Sequence, residues 1–143
     1  MEKAKIDEQL KQKLVEAGVN ARKRAYAPYS KYFVGAAVLT EDGKIYEGAN
    51  VENASYGATV CAERVAIFNA VSAGERKFVA ISVVGDEGGA PCGMCRQVLA
   101  EWGLNMLVIE VNKDGKVVRE VTLSEILPDA FTPAALGIDP AGY

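Results

Sequence analysis

The chain has 143 residues, half of them hydrophobic and 24% charged, with a net charge of −3 and an isoelectric point near 5.1. Residues 1–143 are read as one domain, since that length can bury a real core but is too short for two. The composition excludes a disordered chain, no apolar run approaches the roughly 20 residues of a membrane span, and the acidic balance points to a small-molecule partner rather than nucleic acid or a membrane.

The first residues, Met1-Glu2-Lys3-Ala4-Lys5-Ile6-Asp7, lack the apolar core of a signal peptide, which predicts a cytoplasmic protein with reduced cysteines. Residues 7–25 place Leu10, Leu14, Ala17, Ala21 and Ala25 at spacings of three to four, which predicts an amphipathic helix that Pro28 ends. Its Arg22-Lys23-Arg24 triplet reads as a solvated face. Residues 33–40 form an apolar run, Glu41-Asp42-Gly43-Lys44 a turn, and residues 45–51 a second strand, the pattern of a hairpin. Residues 61–71 have helical composition, with Gly74 where a helix would stop. Residues 78–85 are continuously apolar, as in a strand buried on both faces. Pro91 suits the first turn of a helix running to about residue 102. Two more strands follow, at residues 106–111 and 117–123, around the turn Lys113-Asp114-Gly115. Thr122-Leu123-Ser124-Glu125 then offers a capping box for a short helix before Pro128. This order predicts an α/β fold with a mixed five-stranded sheet covered by helices. Trp102 and the methionines read as core packing.

All three cysteines fall in two short segments, Cys61-Ala62-Glu63-Arg64 and Pro91-Cys92-Gly93-Met94-Cys95-Arg96-Gln97, and the chain has no histidine. Three thiolates can hold Zn²⁺ and leave its fourth position open, as a catalytic site does, with Glu63 as a carboxylate beside it that is not a ligand. Cys-x-x-Cys alone fits a redox pair or half of a structural zinc site equally well. A redox pair leaves Cys61 and Glu63 without a role, and a closed structural site needs a fourth Cys or His, which is absent, or a carboxylate in its place, which is uncommon. A zinc shared between subunits stays open. Both segments are expected to open helices, whose positive ends lower a thiol's pKa. Arg64 and Arg96, each next to a key residue, are candidates to donate N–H bonds to the thiolates.

Six separated motifs carry a family resemblance: Tyr26-Ala27-Pro28-Tyr29-Ser30, Val34-Gly35-Ala36-Ala37, Asn50-Val51-Glu52-Asn53-Ala54-Ser55-Tyr56, the two cysteine segments, and Leu127-Pro128-Asp129-Ala130-Phe131. Over nearly its full length the chain resembles the small, homotetrameric, three-cysteine cytidine deaminases. The resemblance implies a three-layer sandwich, one Zn²⁺ per subunit on Cys61, Cys92 and Cys95, and hydrolysis of cytidine and 2′-deoxycytidine for pyrimidine salvage. It implies that zinc-bound hydroxide attacks C4 while Glu63 carries protons to N3 and then to the leaving nitrogen. Asn50 and Glu52 would bind the ribose hydroxyls, backbone groups of Ala54 and Ala62 the base, and Tyr32 would stack on the pyrimidine where the family usually has phenylalanine. Tyr56 and Phe131 would reach into a neighbouring subunit's site. A nucleic-acid deaminase on the same fold would call for basic segments that this chain lacks.

Overall fold

The computed structural model describes residues 6–143, so Met1 to Lys5 of the N-terminal stretch lie outside the described residues. In chain order the elements are α1 (Glu8–Arg22), β1 (Gly35–Thr40), β2 (Ile45–Ala49), α2 (Ala62–Ser72), β3 (Phe78–Val84), α3 (Gly93–Ala100), β4 (Leu107–Val111), β5 (Val117–Thr122) and α4 (Leu123–Ile126). The sheet runs β2-β1-β3-β4-β5, with β3 and β4 parallel and every other pair antiparallel. The mixed five-stranded sheet is therefore as the sequence predicts.

Alternation along the strands builds three layers. In β1, Ala37 and Leu39 face α1, joining Leu14, Val15, Ala80, Val84 and Ile109 in one cluster. Ala36 and Val38 face the other way, against Ala66, Ile67 and Ala70 of α2 and Leu99 of α3. A strand buried on both faces needs apolar residues at every position, and β3 supplies them apart from Ser82. The Ser82 hydroxyl is satisfied by donating to Leu14 O at 2.8 Å. Trp102 packs edge-on against Phe78 and Met106 is buried, as expected of core residues, but Met94 is exposed.

Most boundaries fall within two residues of the expected ones. Asp7 caps α1 by accepting from Leu10 N at 2.8 Å, and Gly74 follows α2 at φ +100°, a conformation glycine adopts freely. Asp42-Gly43 turns the hairpin with Gly43 at φ +90°. The capping box is present at the start of α4, with the Thr122 side chain accepting from the Glu125 N–H and the Glu125 side chain from the Thr122 N–H. Three differences have a physical cause. Helix α1 stops at Arg22, before Ala25, because the Tyr26 N–H leaves to donate to Asn50 O at 2.9 Å. The first strand starts at Gly35, after Phe33, because the Val34 N–H donates to the Asn50 side chain instead of the ladder. Pro91 precedes α3 without entering it, since Cys92 is the N-cap.

The hairpin lies close to two helix backbones. A Cβ on Gly35 would meet Gly18 O and Arg22 N of α1, and one on Gly48 would meet Ala66 N and Ala62 O of α2. Both neighbours are backbone, which cannot rotate away. Gly48→Ala is expected to destabilise the protein by about 1–3 kcal/mol, read as a lower urea midpoint at unchanged slope.

Candidate metal centre

Cys61 is the N-cap of α2 and Cys92 the N-cap of α3, with Cys95 in the first turn of α3. Neither cap sulfur accepts from the backbone of its own helix, so both remain available as ligands. The three sulfurs lie within 4.8 Å of one another, and among the described residues no fourth histidine, cysteine or carboxylate joins the group. Sulfurs at about 2.3 Å from a tetrahedral zinc stand roughly 3.8 Å apart, which lies inside that limit, so this soft, three-thiol set fits the ion. Cys95 is buried, Cys61 half-buried and Cys92 exposed.

Glu63, in the first turn of α2, is only 4% exposed. Burial pushes its carboxyl up to about 7, and the Cys61 thiolate adds to the rise. Its own backbone N–H, the Cys95 thiol and the Arg64 charge act the other way. In the metal-free cluster the Cys95 thiol donates to Cys61, which draws Cys61 down to about 5 and holds Cys95 well above the ordinary thiol range. Arg64 Nη2 contributes to the Cys61 shift from 3.6 Å. The Arg64 Nε is buried without a partner.

Arg96 corrects one expectation. Its guanidinium donates to Pro91 O and Ile126 O, each at 2.8 Å, and is directed at carbonyls rather than thiolates. One residue beyond Cys95 is about 100° around the helix, which turns Arg96 towards α4. It thereby ties the residue before Cys92 to the end of α4.

The residues expected to take a nucleoside gather on one extended segment. Asn50 and Glu52 are both buried, flanking Val51, which bridges Tyr26 on one side and Val60 on the other. Asn50 Nδ2 donates to Tyr32 O at 2.8 Å and its Oδ1 accepts from Val34 N at 2.9 Å. Glu52 Oε1 accepts from Tyr29 N at 2.9 Å and Ser30 N at 3.1 Å, and Oε2 accepts from the Ser30 hydroxyl. These bonds, led by the Ser30 hydroxyl, hold the Glu52 carboxyl below its ordinary range. Tyr32 is 44% exposed, and its hydroxyl lies close above Gly85, where an added Cβ would come within 2.6 Å. A phenylalanine would not reach that far. Ala62 is buried at the start of α2, while Ala54 is exposed. Tyr56 and Phe131 are 75% and 64% exposed in the single chain. Tyr56 meets Tyr29 edge-on at 5.8 Å. Two contacts escaped the sequence reading: the Ser30 hydroxyl, and Gln97 Nε2 donating to Phe131 O at 2.8 Å. Both residues sit inside motifs that sequence reading singled out, which was the only signal for them.

A buried carboxyl beside a three-thiol cluster at two helix ends defines the class of zinc-binding hydrolytic centres. Residues 8–111 match the family model described as "Cytidine and deoxycytidylate deaminase zinc-binding region", and the chain belongs to that family. It is 50% identical over 124 residues to a cytidine deaminase of Sporosarcina psychrophila, covering 85% of this chain and 90% of that one. It is likewise 50% identical over 125 residues to one from Halalkalibacterium halodurans, covering 85% and 94%. Among solved structures, cytidine deaminase from Burkholderia pseudomallei superposes with a TM-score of 0.80 at 49% identity, covering 88% of this chain and 100% of that one. No helix among the described residues is long and apolar enough to cross a membrane.

The Glu63 shift has a stability consequence in the metal-free protein. A carboxyl raised from 4.5 to about 7 favours the fold below pH 4.5, and that contribution is lost as pH rises through 7. Glu63→Gln is therefore expected to stabilise the metal-free protein by about 3 kcal/mol above pH 8 and by nothing below pH 4. Urea titrations of both proteins across that range check it.

Proposed function

We propose that this protein hydrolyses cytidine and 2′-deoxycytidine to uridine and 2′-deoxyuridine, releasing ammonia. It does so as a homotetramer with one zinc per chain, serving pyrimidine salvage in the cytoplasm. The observation that carries the reading is Glu63, an acid buried against three clustered thiols yet outside their ligand group.

Cys61, Cys92 and Cys95 hold the ion. When bound, zinc supplies the Lewis acidity that makes water a nucleophile near neutral pH. Glu63 accepts the proton that water gives up and hands it to N3 of the pyrimidine. It then takes the remaining proton of the oxygen added at C4 and delivers it to the exocyclic nitrogen, so that the C4–N bond breaks and water and cytidine leave as uridine and ammonia. A carboxyl that burial lifts towards neutrality suits both transfers, since it gains and loses a proton at similar cost. Arg64 offsets thiolate charge from 3.6 Å.

The remaining groups bind and orient. Glu52, as an acceptor-only carboxylate, has lone pairs left for a ribose hydroxyl beyond those its loop uses. Asn50 stands two residues away on the same extended segment and shares that diol. Tyr32 presents a ring to the base, and the backbone of Ala54 and Ala62 grips its edge. Tyr56 and Phe131 serve the site of a neighbouring subunit, which accounts for two large aromatic side chains left in water on the single chain.

Ultraviolet absorbance on cytidine, deoxycytidine, cytosine, adenosine and dCMP tests the assignment. Turnover of both cytidine nucleosides is expected, and none on either with zinc bound overturns the reading. Glu63→Gln is expected to keep one zinc per chain by metal analysis and to lose about 10²–10⁴ in kcat.

A further inference from the structure

The Tyr26-Ala27-Pro28-Tyr29-Ser30 motif has no part in the chemistry above, yet its last residue makes an unusual pair of bonds. Ser30 Oγ donates to Glu52 Oε2 and at the same time accepts from Tyr32 N at 3.0 Å. Between Ser30 and Tyr32 stands Lys31 at φ +59°, a left-handed conformation that costs a non-glycine residue energy. The Ser30–Tyr32 bond spans this strained residue, and Lys31 N closes the turn onto Ala27 O at 3.0 Å. The Tyr32 carbonyl is held separately by Asn50 Nδ2 at 2.8 Å. Tyr32 is thus fixed at its N–H through Ser30 and Glu52, and at its C=O through Asn50. The two side chains assigned to the sugar are the two that set the backbone of the residue assigned to the base.

We infer that Ser30 is a positioning residue that couples Glu52 to Tyr32, so that one hydroxyl sets both sugar recognition and base stacking. The hydroxyl fixes which way Oε2 points and leaves its remaining lone pairs aimed at the substrate. It also keeps Lys31 left-handed, which decides where the Tyr32 ring stands. Loss of the hydroxyl releases both, while Tyr29 N and Ser30 N still hold Glu52 Oε1 and the loop stays attached. The damage falls on binding and not on the proton transfers of Glu63, which lies on another element.

This inference rests on the proposed nucleoside hydrolysis, and its test separates the two. Wild type, Ser30→Ala and Ser30→Thr are compared as zinc-loaded proteins on cytidine and on 3′-deoxycytidine, with binding of the product uridine measured by calorimetry. Ser30→Ala is expected to raise KM for cytidine and weaken uridine roughly tenfold, with kcat within about threefold of wild type. The KM penalty shrinks on 3′-deoxycytidine, which lacks one hydroxyl of the diol that Glu52 and Asn50 share, and Ser30→Thr restores KM because it keeps the hydroxyl. An unchanged KM and uridine affinity in Ser30→Ala, or a penalty as large on 3′-deoxycytidine, overturns the role of Ser30 while the active wild type leaves the reaction standing. A wild type that turns over neither nucleoside sinks the functional reading instead.

Discussion

Two helices must begin at the same point in space for three sulfurs to share one cation. Both α2 and α3 pack on the same side of the sheet, and their N-caps are Cys61 and Cys92. Three thiolates on a +2 ion leave a net charge of −1, with no neutral histidine available to dilute it. Such an excess opposes further loss of a proton by anything bound at the open position. Two helix ends supply about +0.5 each, and Arg64 adds a full charge at 3.6 Å from Cys61. With Arg96 committed to carbonyls, the balance rests on Arg64 and the two helix dipoles. The close seat of α2 on Gly48 belongs to the same constraint, because it fixes where Cys61, Glu63 and Arg64 stand.

The second organising element is the extended segment around Val51. It lies outside the five-stranded sheet but pairs on both sides, with Tyr26 and with Val60. Main-chain bonds from Tyr26 N to Asn50 O and from Glu52 N to Tyr26 O, both 2.9 Å, fasten the loop after α1 to it. Asn50 and Glu52 then grip the rest of that loop through their side chains. Local preference would run α1 three residues further and start β1 two residues earlier. Both elements yield those residues to the loop that carries Tyr32.

The regular parts of the fold were legible because they follow period and punctuation: apolar spacing in α1, the Asp42-Gly43 turn, the continuous apolar run of β3 and the capping box at Thr122. The metal cluster was legible through its count, three cysteines in two helix-opening segments with nothing left over. Side-chain direction was not legible. Arg64 and Arg96 each adjoin a key residue in sequence, yet only Arg64 turns to a sulfur, because rotation around the helix axis separates neighbours by about 100°. Ser30 was quoted as part of a motif but given no role, since a serine's partners across 22 residues of chain are set by tertiary packing alone. Tyr32 carries a hydroxyl that lies close to Gly85, a neighbour that no local pattern brings to it.

Helix α3 links the cluster to an exposed aromatic surface. It carries Cys95 inward, while Arg96 holds Ile126 O and Gln97 holds Phe131 O from the adjacent positions. The segment from α4 to Phe131 is therefore pinned at both ends to the helix that bears two of the three ligands. Phe131 itself stays exposed, as do Tyr56 and Tyr29, which meet edge-on. In the proposed homotetramer this makes each chain's cluster and the aromatic group it lends to a neighbour parts of one rigid unit. Movement of α3 on binding or losing its metal would displace Phe131 as well. In that proposed assembly the two sites could not form independently of one another, and metal binding to one chain would also favour the interface.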